Sequence, residues 1–224
     1  MAGGAAKLID DGIALGSRAV CRLPFTPTPA RYMLTVGSAP SFLWFRVPKV
    51  GTRTILQVLE SANGVVQDPP GGNARYALGL YRNHLSFAFV RNPWDRLVSA
   101  WSDKVVRSNH FHLEPAELAE LQSFPAFARW TAARDLTRGN GHIRLMTKLV
   151  DAASVDVLGR MESFGPDLEE ILDRIGLPGR TVPRLNQNPT TDYRSHYDES
   201  TRRLVGDAYG PDVEAFRYTF DGCA

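Results

Sequence analysis

Two segments of the chain carry the same hydrophobic signature. "FLWFRV" at 42–47 is apolar and aromatic enough for a buried strand, and Ile55, Leu56, Val58 and Leu59 then recur at helical spacing. "LSFAFV" at 85–90 repeats the strand, and "WDRLVSAWSDKVV" from 94 follows as a helix with Leu97, Val98, Trp101 and Val105 on its inner side. Two strand-to-helix units predict an α/β fold built on a parallel sheet.

Polar and turn-forming stretches separate the units. The first 23 residues read as an amphipathic helix, and "PFTPTPAR" places three prolines in six residues, which neither a regular helix nor a central strand accepts. Residues 1–40 are therefore expected to be a helix and linker, and 41–224 the folded domain. "NGVVQDPPGGN" at 63–73 is dense in turn formers and predicts a loop. Residues 114–150 are mainly helical in character, broken by Pro125 and by "RGNGH" at 138–142. "VDVLGRME" predicts a short third strand, followed by a helix with Pro166 in its first turn and Gly176 as its stop. A last helix starts near Asp198, a natural N-cap.

Composition changes this picture little. The chain has 224 residues, one domain's worth, and its 26 basic and 24 acidic residues are too balanced for a protein that coats nucleic acid. Any anion site must be local. The two cysteines, Cys21 and Cys223, form no metal-ligand or disulfide spacing. No apolar run reaches the roughly 20 residues that cross a bilayer, so a cytoplasmic location is expected.

The chemistry is concentrated in the two strand-to-helix turns, because ligands of open α/β sheets bind beyond the carboxyl ends of strands, against helix N-termini. In the first turn Lys49 supplies a point charge, Gly51 lets the backbone approach a ligand, and Thr52 and Thr54 add hydroxyls: a phosphate-like anion site. In the second, Arg91 ends the strand and Ser99 lies in the following helix, where a guanidinium fork and a hydroxyl could grip one phosphate. Plainer readings stand beside these: a capped helix with Lys49 in solvent, and Arg91 paired with Asp95. The first turn is not the ATPase loop GxxxxGK[ST], since its lysine precedes the glycine and no hydroxyl residue stands ready for magnesium.

Taken together, the two turns resemble the carbohydrate sulfotransferases, a family that includes chondroitin 4-O-sulfotransferases and bacterial members. "RVPKVGTRT" resembles that family's 5'-phosphosulfate loop and "FAFVRNPWDRLVSAW" its 3'-phosphate motif. "NGHIR", "VLGRMESFGPDLEEIL" and "YRSHYDESTRRLVGDAYGPDVEAFRYTF" resemble later segments, in order. The resemblance implies a P-loop-like three-layer sandwich with a central, mostly parallel sheet flanked by helices. It implies transfer of a sulfuryl group from 3'-phosphoadenosine 5'-phosphosulfate to a hydroxyl, on a saccharide or another acceptor, with no metal expected. Lys49, Gly51, Thr52, Arg53 and Thr54 would bind the 5'-phosphosulfate, and Arg91 and Ser99 the 3'-phosphate. The family commonly has Gly or Ser where this chain has Thr52, Thr where it has Arg53, and Trp where it has Ile143.

An acceptor hydroxyl needs a base. Of the five histidines, His84 stands at the wrong end of its strand, His110 and His112 lie in a loop, and His196 falls in "YRSHYDES", where the resembling pattern usually has another residue. His142 is the candidate, with Glu60 next; Asn186 and Arg194 are possible nucleotide or acceptor contacts. Two rivals to catalysis remain open: a non-catalytic nucleotide- or glycan-binding protein on the same fold, and a P-loop kinase. The acceptor and the oligomeric state have no signature in the sequence.

Overall fold

The computed structural model describes residues 28, 30–60, 66–67, 73–179 and 192–223. The expected N-terminal helix, most of the proline-rich linker, much of the 63–73 loop and Asn186 lie outside these residues.

Strands β1 (Tyr32–Ser38) and β2 (Ser41–Phe45) form an antiparallel hairpin, with Leu34 opposite Phe45 and Ser38 opposite Ser41. Helix α1 (Thr52–Glu60) follows β2 directly. Two short strands, β3 (Val66–Gln67) and β4 (Asn73–Ala74), pair antiparallel with β1. Strand β5 (Leu85–Val90) runs parallel to β2, and β6 (Val157–Arg160) runs parallel to β5. The order along the main sheet is β3-β1-β2-β5-β6. The sheet is thus mixed, with a parallel centre and an antiparallel edge that the strand-to-helix pattern did not foretell. The domain boundary expected at residue 41 falls inside the β1–β2 hairpin.

Strands β2 and β5 read as continuous apolar runs because both faces of a central strand are covered. Phe42, Leu43, Trp44 and Phe45 of β2 and Phe87, Ala88, Phe89 and Val90 of β5 are all buried. The Trp44 and Phe87 rings stack at 5.9 Å. Ile55, Val58 and Leu59 from α1, and Leu168, Ile171 and Leu172 from a later helix, complete this core. Burying each large apolar side chain contributes about 1.5–3 kcal/mol.

Helix α2 (Pro93–Trp101) begins at Asn92, whose side chain accepts from the Trp94 amide, with Pro93 in the first turn where its missing N–H costs nothing. It runs into one π-helical segment, Ser102–Val106. Helices α3 (Pro115–Leu121) and α4 (Phe124–Ala132) each start at or just before a proline, so Pro125 opens a helix as well as closing the previous one. Helix α5 (Phe164–Arg174) follows β6 and stops before Gly176 at φ +84°. Helices α6 (Glu199–Ala208), capped by Asp198, and α7 (Gly210–Phe216) end the chain with a small β7–β8 hairpin (Tyr218–Thr219, Gly222–Cys223). A second core, with Leu97, Phe124, Phe127, Ile143, Val205 and Tyr209, joins α2, α4 and α6.

Candidate functional site

The first turn is tightly folded. Lys49 has φ +74° and Gly51 φ +79°, two left-handed residues that reverse the chain between β2 and α1. Glycine is demanded at 51 by space as well as by φ, since a Cβ there would sit 2.6 Å from the Phe164 ring. The Thr52 hydroxyl donates to the Val47 carbonyl at 2.8 Å, and Thr54 is buried. The Thr52 hydroxyl, expected as a ligand donor, is thus engaged within the turn, and Thr54 is enclosed. What the turn offers is the first-turn amides of Thr52, Arg53 and Thr54, which have no acceptor within the helix. Arg53 itself is exposed.

Lys49 Nζ lies 2.8 Å from Asp103 Oδ2, and Lys104 Nζ 3.3 Å from the same oxygen. Burial pulls the Lys49 ammonium below its usual range, although the hydrogen bond it donates to Asp103 opposes the shift. For Asp103 burial would raise the carboxyl, yet the hydrogen bond and charge of Lys49, aided by Lys104, prevail and hold it at about 2. The two shifts differ in outcome because Lys49 is the more enclosed partner, 15% exposed against 33%.

The second turn meets the first. Arg91 grips Asp95 with two 2.7 Å bonds, and its remaining Nη1 donates to the Lys49 carbonyl at 3.1 Å. The plain Arg91–Asp95 pairing is thus present, and it aims the guanidinium at the first turn. Ser99 is half-buried one helical turn beyond Asp95.

Among the described residues Arg96 is the deepest cation, 1% exposed. It donates to the carbonyls of Pro48 at 3.2 Å, Arg144 at 2.8 Å and Gly141 at 2.8 Å. The turn carrying Lys49 and the loop carrying His142 are therefore pinned to one planar group. Tyr209 adds a bond to the Ile143 carbonyl, and Asp212 accepts from the Met146 and Thr147 amides. The Ile143 side chain lies in the second core, 2% exposed, so its departure from Trp is a packing matter.

The chain from residue 33 to 219 matches the model of the Sulfotransferase family. It belongs to that family. It is similar to human carbohydrate sulfotransferase 14, with 25% identity over 207 residues that span 72% of this chain and 54% of that protein. The chain thus covers about half the length of this relative. No solved structure matches it.

Within this sulfotransferase domain the five histidines separate clearly. His84 packs against Tyr81 at the amino end of β5, beside a cavity of about 480 Å³ lined by Tyr76, Ser86 and Asp156, away from both turns. His112 is exposed, and His196 packs on Trp101 and Phe124. His110 and His142 meet edge to face at 4.7 Å. Burial first, then the charges of Lys104, His110, Lys49 and Arg96, drives His142 down to about 3, so its ring is neutral at physiological pH. Glu60 is exposed at the end of α1. Arg194 is held by Asp192 and Asp221. Among the described residues, no helix is long and apolar enough to cross a membrane.

Asp103, Arg96 and Asn140 escaped the sequence reading. Asp103 and Arg96 stood within quoted helices, where nothing in helical periodicity distinguishes a charge that will find a partner more than 40 residues away. Asn140 stood two residues before His142, and Asn is a frequent maker of such local turns.

Proposed function

We propose that this domain transfers the sulfuryl group of 3'-phosphoadenosine 5'-phosphosulfate to an acceptor hydroxyl, on a saccharide. The observation that carries the reading is the bond from Arg91 to the Lys49 carbonyl, which brings two cationic turns together at the carboxyl ends of the parallel strands β2 and β5. The amides after Gly51, with Lys49, would take the 5'-phosphosulfate, and Arg91 and Ser99 the 3'-phosphate. The site residues Lys49, Gly51, Thr52, Arg53, Thr54, Arg91 and Ser99 belong to this proposal, Thr52 and Thr54 through their amides.

In the reaction the acceptor oxygen forms a bond to sulfur while the bond from sulfur to the bridging phosphate oxygen breaks. The electron pair of that bond leaves with the phosphate as 3'-phosphoadenosine 5'-phosphate. Lys49 would stabilise the charge growing on the departing oxygen, and His142 would receive the acceptor proton. Catalysis of this kind is mainly positioning and electrostatic stabilisation, as in phosphoryl transfer.

The family assignment and the likeness to a protein named a carbohydrate sulfotransferase support this reading. One observation favours a second, a binding protein without turnover: Lys49, the cation assigned to the departing oxygen, is already held by Asp103. Calorimetry of 3'-phosphoadenosine 5'-phosphate against ADP, on the wild type and Arg91→Ala, tests the donor site. Binding that requires both the 3'-phosphate and Arg91 supports it; equal or absent binding overturns it. Sulfate transfer from the radiolabelled donor to a panel of glycans then separates the enzyme from the binding protein.

A further inference from the structure

The side chain of Asn140 determines which nitrogen of His142 is free. Asn140 Oδ1 lies 3.0 Å from the His142 main-chain nitrogen and 2.9 Å from His142 Nδ1. A peptide N–H can only donate, so the atom it meets is the amide oxygen, and Nδ2 is turned the other way. That Nδ2 lies 3.4 Å from His110 Nε2. An amide oxygen only accepts, so His142 Nδ1 carries the ring proton. An amide NH2 only donates, so His110 Nε2 is bare.

We propose that Asn140 is a positioning residue for sulfuryl transfer: it binds the Nδ1 proton of His142 and thereby leaves Nε2 as the unprotonated nitrogen that receives the acceptor proton. The inference rests on the reading of His142 as the base. Two bonds accepted by one amide oxygen, from the backbone N–H and from the ring of the same residue, fix the ring plane as well as the tautomer. His110 closes the other side, with its ring edge-to-face against His142.

The choice of an amide follows from the surrounding charge. A carboxylate would hold the same tautomer, as orienting carboxylates do elsewhere, but it would place a negative charge beside a site proposed for a polyanionic donor. Asn140 orients without adding that charge, and the cations facing His142, which are Lys49, Arg96 and Lys104, remain the dominant field. When Nε2 takes the acceptor proton, Asn140 Oδ1 remains bonded to Nδ1–H and faces the new positive charge with the negative end of its dipole.

Long-range nitrogen–proton NMR of the imidazoles in the full chain at neutral pH reads the tautomer directly and needs no substrate. The wild type is expected to show His142 with a protonated Nδ1 and a bare Nε2. Asn140→Ala is expected to lose that preference and give averaged or Nε2-protonated signals. Asn140→Asp is expected to restore the wild-type tautomer and to raise the pH at which the ring titrates, which general damage to the loop would not do. A wild-type ring with Nε2 protonated, or an Asn140→Ala spectrum like that of the wild type, would overturn the role of Asn140 while leaving His142 as a candidate base. The expected spectra together with full turnover of His142→Ala would overturn the base assignment instead.

Discussion

Lys49 and Asp103 form an ion pair at 2.8 Å across 54 residues of sequence, joining the turn after β2 to the π-helical extension of α2. The pair occupies the cation proposed to meet the donor's reacting end. An anion entering the turn must compete with Asp103, so removing the carboxylate should strengthen anion binding. Asp103→Asn is expected to bind 3'-phosphoadenosine 5'-phosphate up to about fivefold more tightly, the worth of roughly 1 kcal/mol for a partly solvated pair. Calorimetry at low and high salt measures it, and the difference should shrink as salt rises. Unchanged or weaker binding would mean that Asp103 orients Lys49 rather than competing for it.

The same pair gives a pH prediction. Asp103 is held at about 2, below its unfolded value, so its contribution to stability is complete above about pH 4. That contribution is lost as pH falls through 2. His142 acts in a higher window: its ring titrates at about 3 in the fold and near 6.5 when unfolded, so the unfolded chain binds more protons between those values. Stability should therefore decline as pH drops from about 6.5 toward 3. Denaturant melts of His142→Gln should show a shallower decline across that window than the wild type, while Asp103→Asn should differ from wild type chiefly below pH 4. Parallel curves for His142→Gln and wild type would show that the histidine is not held neutral by its surroundings.

Gly51 offers a test of the turn itself. Alanine at φ +79° costs about 1–2 kcal/mol in a left-handed conformation, and its Cβ would meet Phe164 at 2.6 Å, well inside contact distance. Gly51→Ala is expected to lose more than about 2 kcal/mol in equilibrium unfolding, by the sum of strain and overpacking. Trimming the ring in Gly51→Ala/Phe164→Leu should recover the packing share and leave the strain. If the double variant is no more stable than the sum of the two single changes, the clash is not the cause.

The parts of the fold legible in sequence were those written in local periodicity. β2 with α1, β5 with α2, and β6 with α5 are each an apolar run followed by a helical stripe, and "RVPKVGTRT" marks its turn with lysine and glycine. β1 was not legible, because "YMLTVGS" follows the proline-rich segment, and it is pairing with Ser41–Phe45 on one side and with β3 and β4 on the other that makes it a strand. Arg91 announced itself at a strand end, and the structure pairs it as the plain reading allowed. Arg96 did not, since five residues into the same motif it looks like any solvated helix cation. Its burial is decided by three carbonyls, two of which come from a loop some 45 residues away.

That burial makes Arg96 the residue on which the spacing of Lys49 and His142 should depend. Its guanidinium donates to Pro48, beside Lys49, and to Gly141, beside His142, so one planar group sets both. Arg96→Lys keeps the charge but presents three donors on a point rather than a fork, and cannot reach all three carbonyls. Each carbonyl left unpaired costs about 1–3 kcal/mol. Arg96→Lys is therefore expected to unfold at lower denaturant by some 2–4 kcal/mol and, at temperatures where it remains folded, to bind 3'-phosphoadenosine 5'-phosphate nearly as well as wild type. Turnover should fall at least tenfold, since a small misplacement of base against leaving-group cation is enough. Lost nucleotide binding in folded Arg96→Lys would assign the residue to the donor site, and wild-type turnover would show that the two loops hold their spacing without it.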